Sequence, residues 1–282
     1  MLSRSTALTI AATSVAVLGI GQFMQATAQQ NTHLSDAVEL DVTPLQLEDI
    51  TYTSLSHGVM EEALVDDCAA SMTTVSQEGA MVQLSVLAPC DAGSAITFHH
   101  AGMMFGQRLD DRGQLDVVVP AMTRDAIFLA ETASGQALMS SAFVSDIKEF
   151  ERVAVQTVDR GVGLHAFEYG AAFGGEGHIW SEATVGAGQL LQLGDETLPS
   201  IPLLQVYSHA VPNLRSDGEI ALFLEAEVRH TTCDRPLEVH ILSARNGGLR
   251  ARELSLEMPA CDAVGDFLVL NNPVESLKLS QN

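Results

Sequence analysis

The chain has 282 residues, 46% of them hydrophobic, and sets 36 acidic residues against 14 basic ones for a formal net charge of −22. So large an acidic excess argues against nucleic acid and anionic membrane surfaces as partners, because both are recognised through basic patches. The apolar content excludes global disorder, and the length suits one large β domain or two smaller ones.

Residues 1–28 read as an export signal. Arg4 supplies a positive start, residues 6–21 are uncharged and mostly small or apolar, and Ala26-Thr27-Ala28 is a small-x-small site that predicts cleavage before Gln29. The competing reading is an uncleaved anchor. The run is shorter than the roughly 20 residues a bilayer demands, and it is interrupted by Thr9, Thr13 and Ser14. No later stretch is long and apolar enough to span, so no membrane span is expected after cleavage. The expected compartment is the periplasm or the exterior. Residues 29–47 are polar and unpatterned, and predict a disordered or loosely docked lead-in.

Two β domains are expected next, over 48–148 and 149–282. Four cysteines in an exported chain predict two disulfides, for which three connectivities exist. Cys68 and Cys90 flank a segment centred on Gly79, and Cys233 and Cys261 flank one centred on Gly247 in Arg245-Asn246-Gly247-Gly248. Asn-Gly is a strong hairpin signal because both residues tolerate positive φ. A hairpin folded at each midpoint brings its cysteines to bonding distance, which predicts the local pairs Cys68–Cys90 and Cys233–Cys261. The segments Leu84-Ser85-Val86-Leu87-Ala88-Pro89-Cys90-Asp91-Ala92-Gly93 and Leu254-Ser255-Leu256-Glu257-Met258-Pro259-Ala260-Cys261-Asp262-Ala263 parallel each other, as either a duplication or a recurrent disulfide-hairpin design.

Period-two alternation marks strands at Val82/Leu84/Val86, at Ile220/Leu222/Leu224/Ala226/Val228 and at Leu237/Val239/Ile241. Runs at 117–119 and 127–130 read as more fully buried strands. Turn signals lie at Asp110-Asp111-Arg112-Gly113, Ser134-Gly135, Asp217-Gly218 and Asn246-Gly247. The only helical signal is one short connecting turn in 146–151, at the domain boundary, before a strand over 153–158. The pattern predicts an all-β chain of two sandwich-like units with crosslinked hairpins.

Catalytic and cofactor motifs are absent. There is no Gly-x-Ser-x-Gly, no GxGxxG, no Walker loop and no CxxC; Ser145-Asp146-Ile147-Lys148 fits Ser-x-x-Lys without a companion Lys-Thr-Gly. The histidines carry the one chemical alternative. His99-His100 precede Met103-Met104, and His165 and His178 flank a glycine-rich stretch with Glu168 and Glu176 nearby. Imidazole, thioether and carboxylate together suit copper or zinc, which makes His99, His165 and His178 the metal candidates. His99 and His100 point to opposite faces of a strand, however, and the plainer reading is edge or surface histidines. The stretch Phe173-Gly174-Gly175-Glu176-Gly177-His178-Ile179-Trp180 reads foremost as a tight turn beside a core aromatic, and otherwise as a binding loop.

Four segments, Phe98-His99-His100-Ala101-Gly102-Met103-Met104-Phe105, Leu164-His165-Ala166-Phe167-Glu168-Tyr169-Gly170, Gly177-His178-Ile179-Trp180 and Cys261-Asp262-Ala263-Val264-Gly265-Asp266-Phe267-Leu268-Val269-Leu270, resemble an uncharacterised exported family of marine and photosynthetic alphaproteobacteria often labelled "translocase". The resemblance implies an alphaproteobacterial envelope protein and brings no catalytic residues with it. The expected function is therefore a non-catalytic interaction or structural module whose partner is an envelope protein or a glycan. The alternative is a metal-binding periplasmic protein, or a metal-dependent enzyme, using the histidines.

Overall fold

The hairpin centred on Gly79 shows how the chain builds itself. Strands β1 (Ser71–Gln77) and β2 (Met81–Leu87) pair antiparallel around a turn in which Gly79 takes φ 82° and Ala80 φ 52°. Cys68 and Cys90 leave the open end of this hairpin and are bonded, with Cα atoms 5.1 Å apart. A 3₁₀ turn, Pro89–Asp91, then swings the chain out of this sheet and into β3 (Ala95–His100) of another. The same sequence of events recurs downstream. Strands β14 (Pro236–Arg245) and β15 (Gly248–Glu257) turn at Asn246 and Gly247, Cys233 and Cys261 are bonded with Cα atoms 5.0 Å apart, and a 3₁₀ turn, Cys261–Ala263, leads into β16 (Phe267–Asn271) of the facing sheet. Both predicted disulfide pairs are formed.

This computed structural model describes residues 67–184, 186–211, 219–271, 273 and 277–278. The predicted signal, the lead-in and the Asp217-Gly218 turn lie outside them. The described residues are nearly all β. The remaining strands are β4 (Met103–Arg108), β5 (Gln114–Pro120), β6 (Asp125–Thr132), β7 (Ala137–Phe143), β8 (Phe150–Thr157), β9 (Val162–Glu168), β10 (His178–Ile179), β11 (Gly188–Leu193), β12 (Leu203–Ala210), β13 (Glu219–Glu227) and β17 (Leu277–Lys278). Among the described residues no helix is long and apolar enough to cross a membrane.

The strands form four antiparallel sheets, β1-β2-β5, β4-β3-β6-β7, β11-β12-β8-β14-β15 and β10-β9-β13-β16 with β17 beside β13. No ladder among the described residues joins a strand before the 3₁₀ turn Ile147–Glu149 to one after it. That turn occupies the place of the expected short helical connector. The first two sheets enclose a core of Val82, Leu84, Ile96, Phe98, Phe105 and Phe128; the last two enclose one of Val155, Leu164, Leu222, Leu224, Val239 and Ile241.

The third sheet is covered on both faces. Val153 and Val155 of β8 belong to the second core, while Ala154, with Leu204, Val206, Leu242 and Ala244, belongs to the first. A strand buried on both faces has no need of polar alternation, which explains the continuous apolar run in β8. Two of its polar members connect the sandwiches. Arg152, 1% exposed, donates from Nη1 to Ala121 O and from Nη2 to Gly79 O, each at 2.5 Å, and from Nε to Ser208 Oγ at 2.9 Å. Gln156 receives the Met104 N–H at 2.8 Å and donates to Gly102 O at 3.1 Å, pinning the β3–β4 turn.

One strand departs from expectation. The run at 127–130 is not fully buried: Phe128 and Ala130 face the core, while Ile127 and Leu129 are 53% and 47% exposed. Five successive apolar residues in β6, 126–130, mask an ordinary alternation, because the outward positions Ile127 and Leu129 are themselves apolar.

Candidate functional site

The outer face of the β10-β9-β13-β16 sheet carries an unusual set of side chains. Alternation sends Leu164 and Ala166 of β9 and Leu222 and Leu224 of β13 inward, so His165, Phe167, Phe223, Glu225 and Glu227 point outward. Register completes the pattern. His165 lies opposite Phe223, Phe167 opposite His178, Glu225 opposite Val269 and Glu227 opposite Phe267. The loop between β9 and β10 then folds Phe173 over this face, and Trp180 follows β10.

The rings form one stack. His178 lies 4.3 Å from Phe167, 4.8 Å from Phe173 and 5.4 Å from Trp180 between centroids, and His165 lies 5.3 Å from Trp180. His165 and His178 are joined by an Nδ1···Nε2 contact of 2.9 Å. The Gly174 N–H donates to His178 Nδ1 at 2.9 Å, and His165 Nε2 faces Glu225 Oε1 at 3.9 Å. Gly163 makes room for this arrangement, since a Cβ there would sit 3.2 Å from His165 Nε2.

Burial holds the His165 imidazole below the ordinary histidine range. His178 is held down first by burial and then by His165 beside it, with Glu225 pulling the other way. Both rings are therefore neutral at pH 7.

Beside the stack runs a groove of about 730 Å³, lined by Phe173, Trp180, Phe267, Glu182, Glu225 and Arg229 among others. Phe173 and Phe267 are 67% and 57% exposed, so ring faces meet solvent. Several polar groups of the lining are already engaged. Gln205 receives the Leu164 N–H and donates to Val162 O, Arg160 donates to the carbonyls of Glu196 and Leu198, and Arg229 is paired with Glu227 at 2.6 Å. Glu225 and Glu182 supply carboxylate acceptors at the open surface.

Glu168, adjacent in sequence, belongs to the other face. It is buried and receives Gly188 N–H at 2.6 Å, Tyr207 O–H at 2.7 Å and Ala187 N–H at 3.1 Å. Burial first, and this carboxylate second, push the Tyr207 phenol far above its usual range. The set fixes the 186–188 loop and commits Glu168 to the face away from the groove. Glu176 is exposed in the loop.

The three metal candidates do not meet. His165 and His178 share a hydrogen bond, but His99 lies on β3, in another sheet, opposite Met104 and Leu129. Among the described residues no three His, Cys, Asp or Glu side chains are grouped to hold an ion. Nor are the described histidines mainly superficial: four of the seven, His100, His165, His178 and His209, are buried, while His230 and His240 are exposed. His100 donates from Nδ1 to Ile127 O and accepts the Met122 N–H at Nε2, each at 2.9 Å, a fully satisfied core imidazole. Burial compensated by two hydrogen bonds is the physical reason that polarity alone does not place a histidine at the surface.

The glycine-rich stretch is a loop wall more than a core turn. Trp180 is half-buried and Phe173 is in solvent. The groove residues Phe173, Glu225 and Phe267, and Phe167 and Phe223 on the sheet face beside them, carry no motif. Their one signal is compositional: β9, β13 and β16 each place a phenylalanine, Phe167, Phe223 and Phe267, at an outward position, where polar residues are the norm. No family model and no curated protein matches the chain.

Proposed function

We propose that this chain is an exported, non-catalytic binding module of the bacterial envelope, kin to the exported family labelled "translocase", and that the groove on the β10-β9-β13-β16 face holds a glycan. The observation that carries this reading is the conjunction of solvent-exposed ring faces with carboxylate acceptors in one groove of ligand size. The apolar C–H face of a pyranose stacks on an aromatic ring, and its hydroxyls donate to carboxylates such as Glu225 and Glu182. The charge of −22 disfavours polyanions as occupants. Two disulfides fit the periplasm or the exterior as the place of action.

Screening an oligosaccharide panel at pH 7.5, with Trp180 emission as the signal, tests the reading. Phe173→Ala, at an exposed position, is expected to weaken binding about 2- to 10-fold, the worth of one stacking contact, with the fold unchanged by circular dichroism. Absence of any binder, or a binder indifferent to Phe173→Ala, defeats it. The competing reading, a metal-binding protein or metal-dependent enzyme, draws on the His165–His178 contact. Zinc or copper added to chelator-treated protein should quench Trp180 stoichiometrically under that reading and leave it unchanged under ours.

A further inference from the structure

Each nitrogen of the His165–His178 pair is assigned by what it meets. The Gly174 N–H donates to His178 Nδ1, so that nitrogen carries a lone pair and the ring proton sits on Nε2. This N–H donates in turn to His165 Nδ1, which places the His165 proton on Nε2, toward Glu225. The relay runs one way, from Gly174 to His178 to His165, and it has no acceptor to spare. A second proton on His178 turns Nδ1 into a donor against the Gly174 N–H. A second proton on His165 turns its Nδ1 into a donor against His178 Nε2–H. Moving the His178 proton to Nδ1 relieves that clash only by passing it to Gly174.

The weakest member of the relay is the loop. Residues 172–176 are exposed, and the loop is closed by short-range bonds, Ala171 N–H to Glu168 O and Gly175 N–H to Ala172 O, that persist if Gly174 lets go. The two imidazoles are instead held within the ring stack on the sheet.

We propose that His165 and His178 form a proton-operated latch on the groove: when the pair takes up a proton, Gly174 is released and Phe173 leaves the ring stack, so the aromatic wall is closed at neutral pH and opens in acid. The latch rests on the reading of this groove as the ligand site. The charged groups around it favour a single proton. Glu225 from β13 faces His165, Glu176 lies in the loop itself, and Glu182 and Glu196 line the groove. The cations nearby are engaged, Arg229 with Glu227 and Arg160 with backbone carbonyls. Glu168 of β9 turns to Tyr207 on the opposite face. One imidazolium beside Glu225 is stabilised, and a second beside the first is repelled.

Trp180 is the sole tryptophan of the chain and stacks on both imidazoles. A charged imidazole in contact with indole quenches its emission, so the latch reports on itself. The full chain is titrated without ligand, in chelator-containing buffer, with emission, far-ultraviolet circular dichroism and the Gly174 amide resonance followed together. The expected result is a sigmoidal loss of emission with a midpoint below pH 6.5, the ordinary histidine value, with the Gly174 amide moving upfield in step and the β spectrum intact. His178→Asn keeps an acceptor for Gly174 but takes no charge, and is expected to abolish the Gly174 shift and to leave only the part of the emission change that His165, also stacked on Trp180, causes.

A flat wild-type curve overturns the latch. So does an unaltered titration in His178→Asn, or loss of emission that coincides with loss of β structure. Failure of the groove reading looks different: a panel without a binder leaves the Trp180 and Gly174 transitions in place. A glycan that binds wild type with equal affinity on both sides of the midpoint separates the loop from the ligand, and overturns the latch as a control of binding.

Discussion

Arg152 shows most plainly how much one side chain carries. Its guanidinium is buried between two sandwiches, receives no carboxylate in direct contact, and is satisfied by two carbonyls, a hydroxyl and the ring of Phe150 at 5.2 Å. Burial pushes its pKa down to about 10, with Asp146 opposing, so it stays charged at pH 7. Arg152→Met strips Gly79 O and Ala121 O of their donors and is expected to cost about 2–5 kcal/mol, about 1–3 for each acceptor left unpaired. Arg152→Lys should recover only part of this, because an ammonium cannot fork to both carbonyls. Urea midpoints of the three proteins check the order. In the sequence Arg152 is one charge just after the expected connector at 146–151, and nothing in its spacing names Gly79 or Ala121 as partners. His165 and His178 were visible as candidates, but their hydrogen bond to each other and their burial were not.

Hairpins were far more legible. Asn246 and Gly247 adopt φ 50° and 74°, the left-handed pair that an Asn-Gly turn requires. The cysteines follow from the turn, since a hairpin folded there can bring them nowhere but together. Replacing Cys233 and Cys261 by serine is expected to destabilise the oxidised protein by about 2–5 kcal/mol, read as a lowered thermal midpoint at matched salt. An unchanged midpoint would show that the flanking strands need no crosslink. Strand β6 was misread for the converse reason. Whether the outward face of a strand meets water is decided by its neighbours, and Ile127 and Leu129 face outward on a sheet with no described layer beyond them.

The acid response belongs to the whole molecule. His100 in the first sandwich and His165 and His178 in the second are all held below the ordinary histidine value, in each case first by burial. The unfolded chain therefore binds protons that the folded one refuses, and stability rises with pH through that window. It should be fully present above pH 6.5 and decline as pH falls below it toward the folded-state values. Carboxylates act later and in the same direction. Asp110, held down by the Gln114 and Arg112 N–H groups, and Asp195, held down by Thr197, lose their contribution only below their ordinary value of 3.8. Thermal midpoints measured across pH should thus fall in two stages. A single acid transition near the carboxylate range would contradict the assignment of three neutral buried histidines. Part of the first stage should survive in His178→Asn, because His100 remains.

The all-β class, the two crosslinked hairpins and the connector turn at Ile147–Glu149 could be read from local pattern, since alternation, turn chemistry and short cysteine loops act between residues close in the chain. The groove could not. It exists because β9 pairs with β13 and β13 with β16, which puts His165 beside Phe223 and Glu225 beside Val269. Pairing partners that far apart are selected by the burial of whole faces. Which outward residues become neighbours is therefore settled by the assembled sheets.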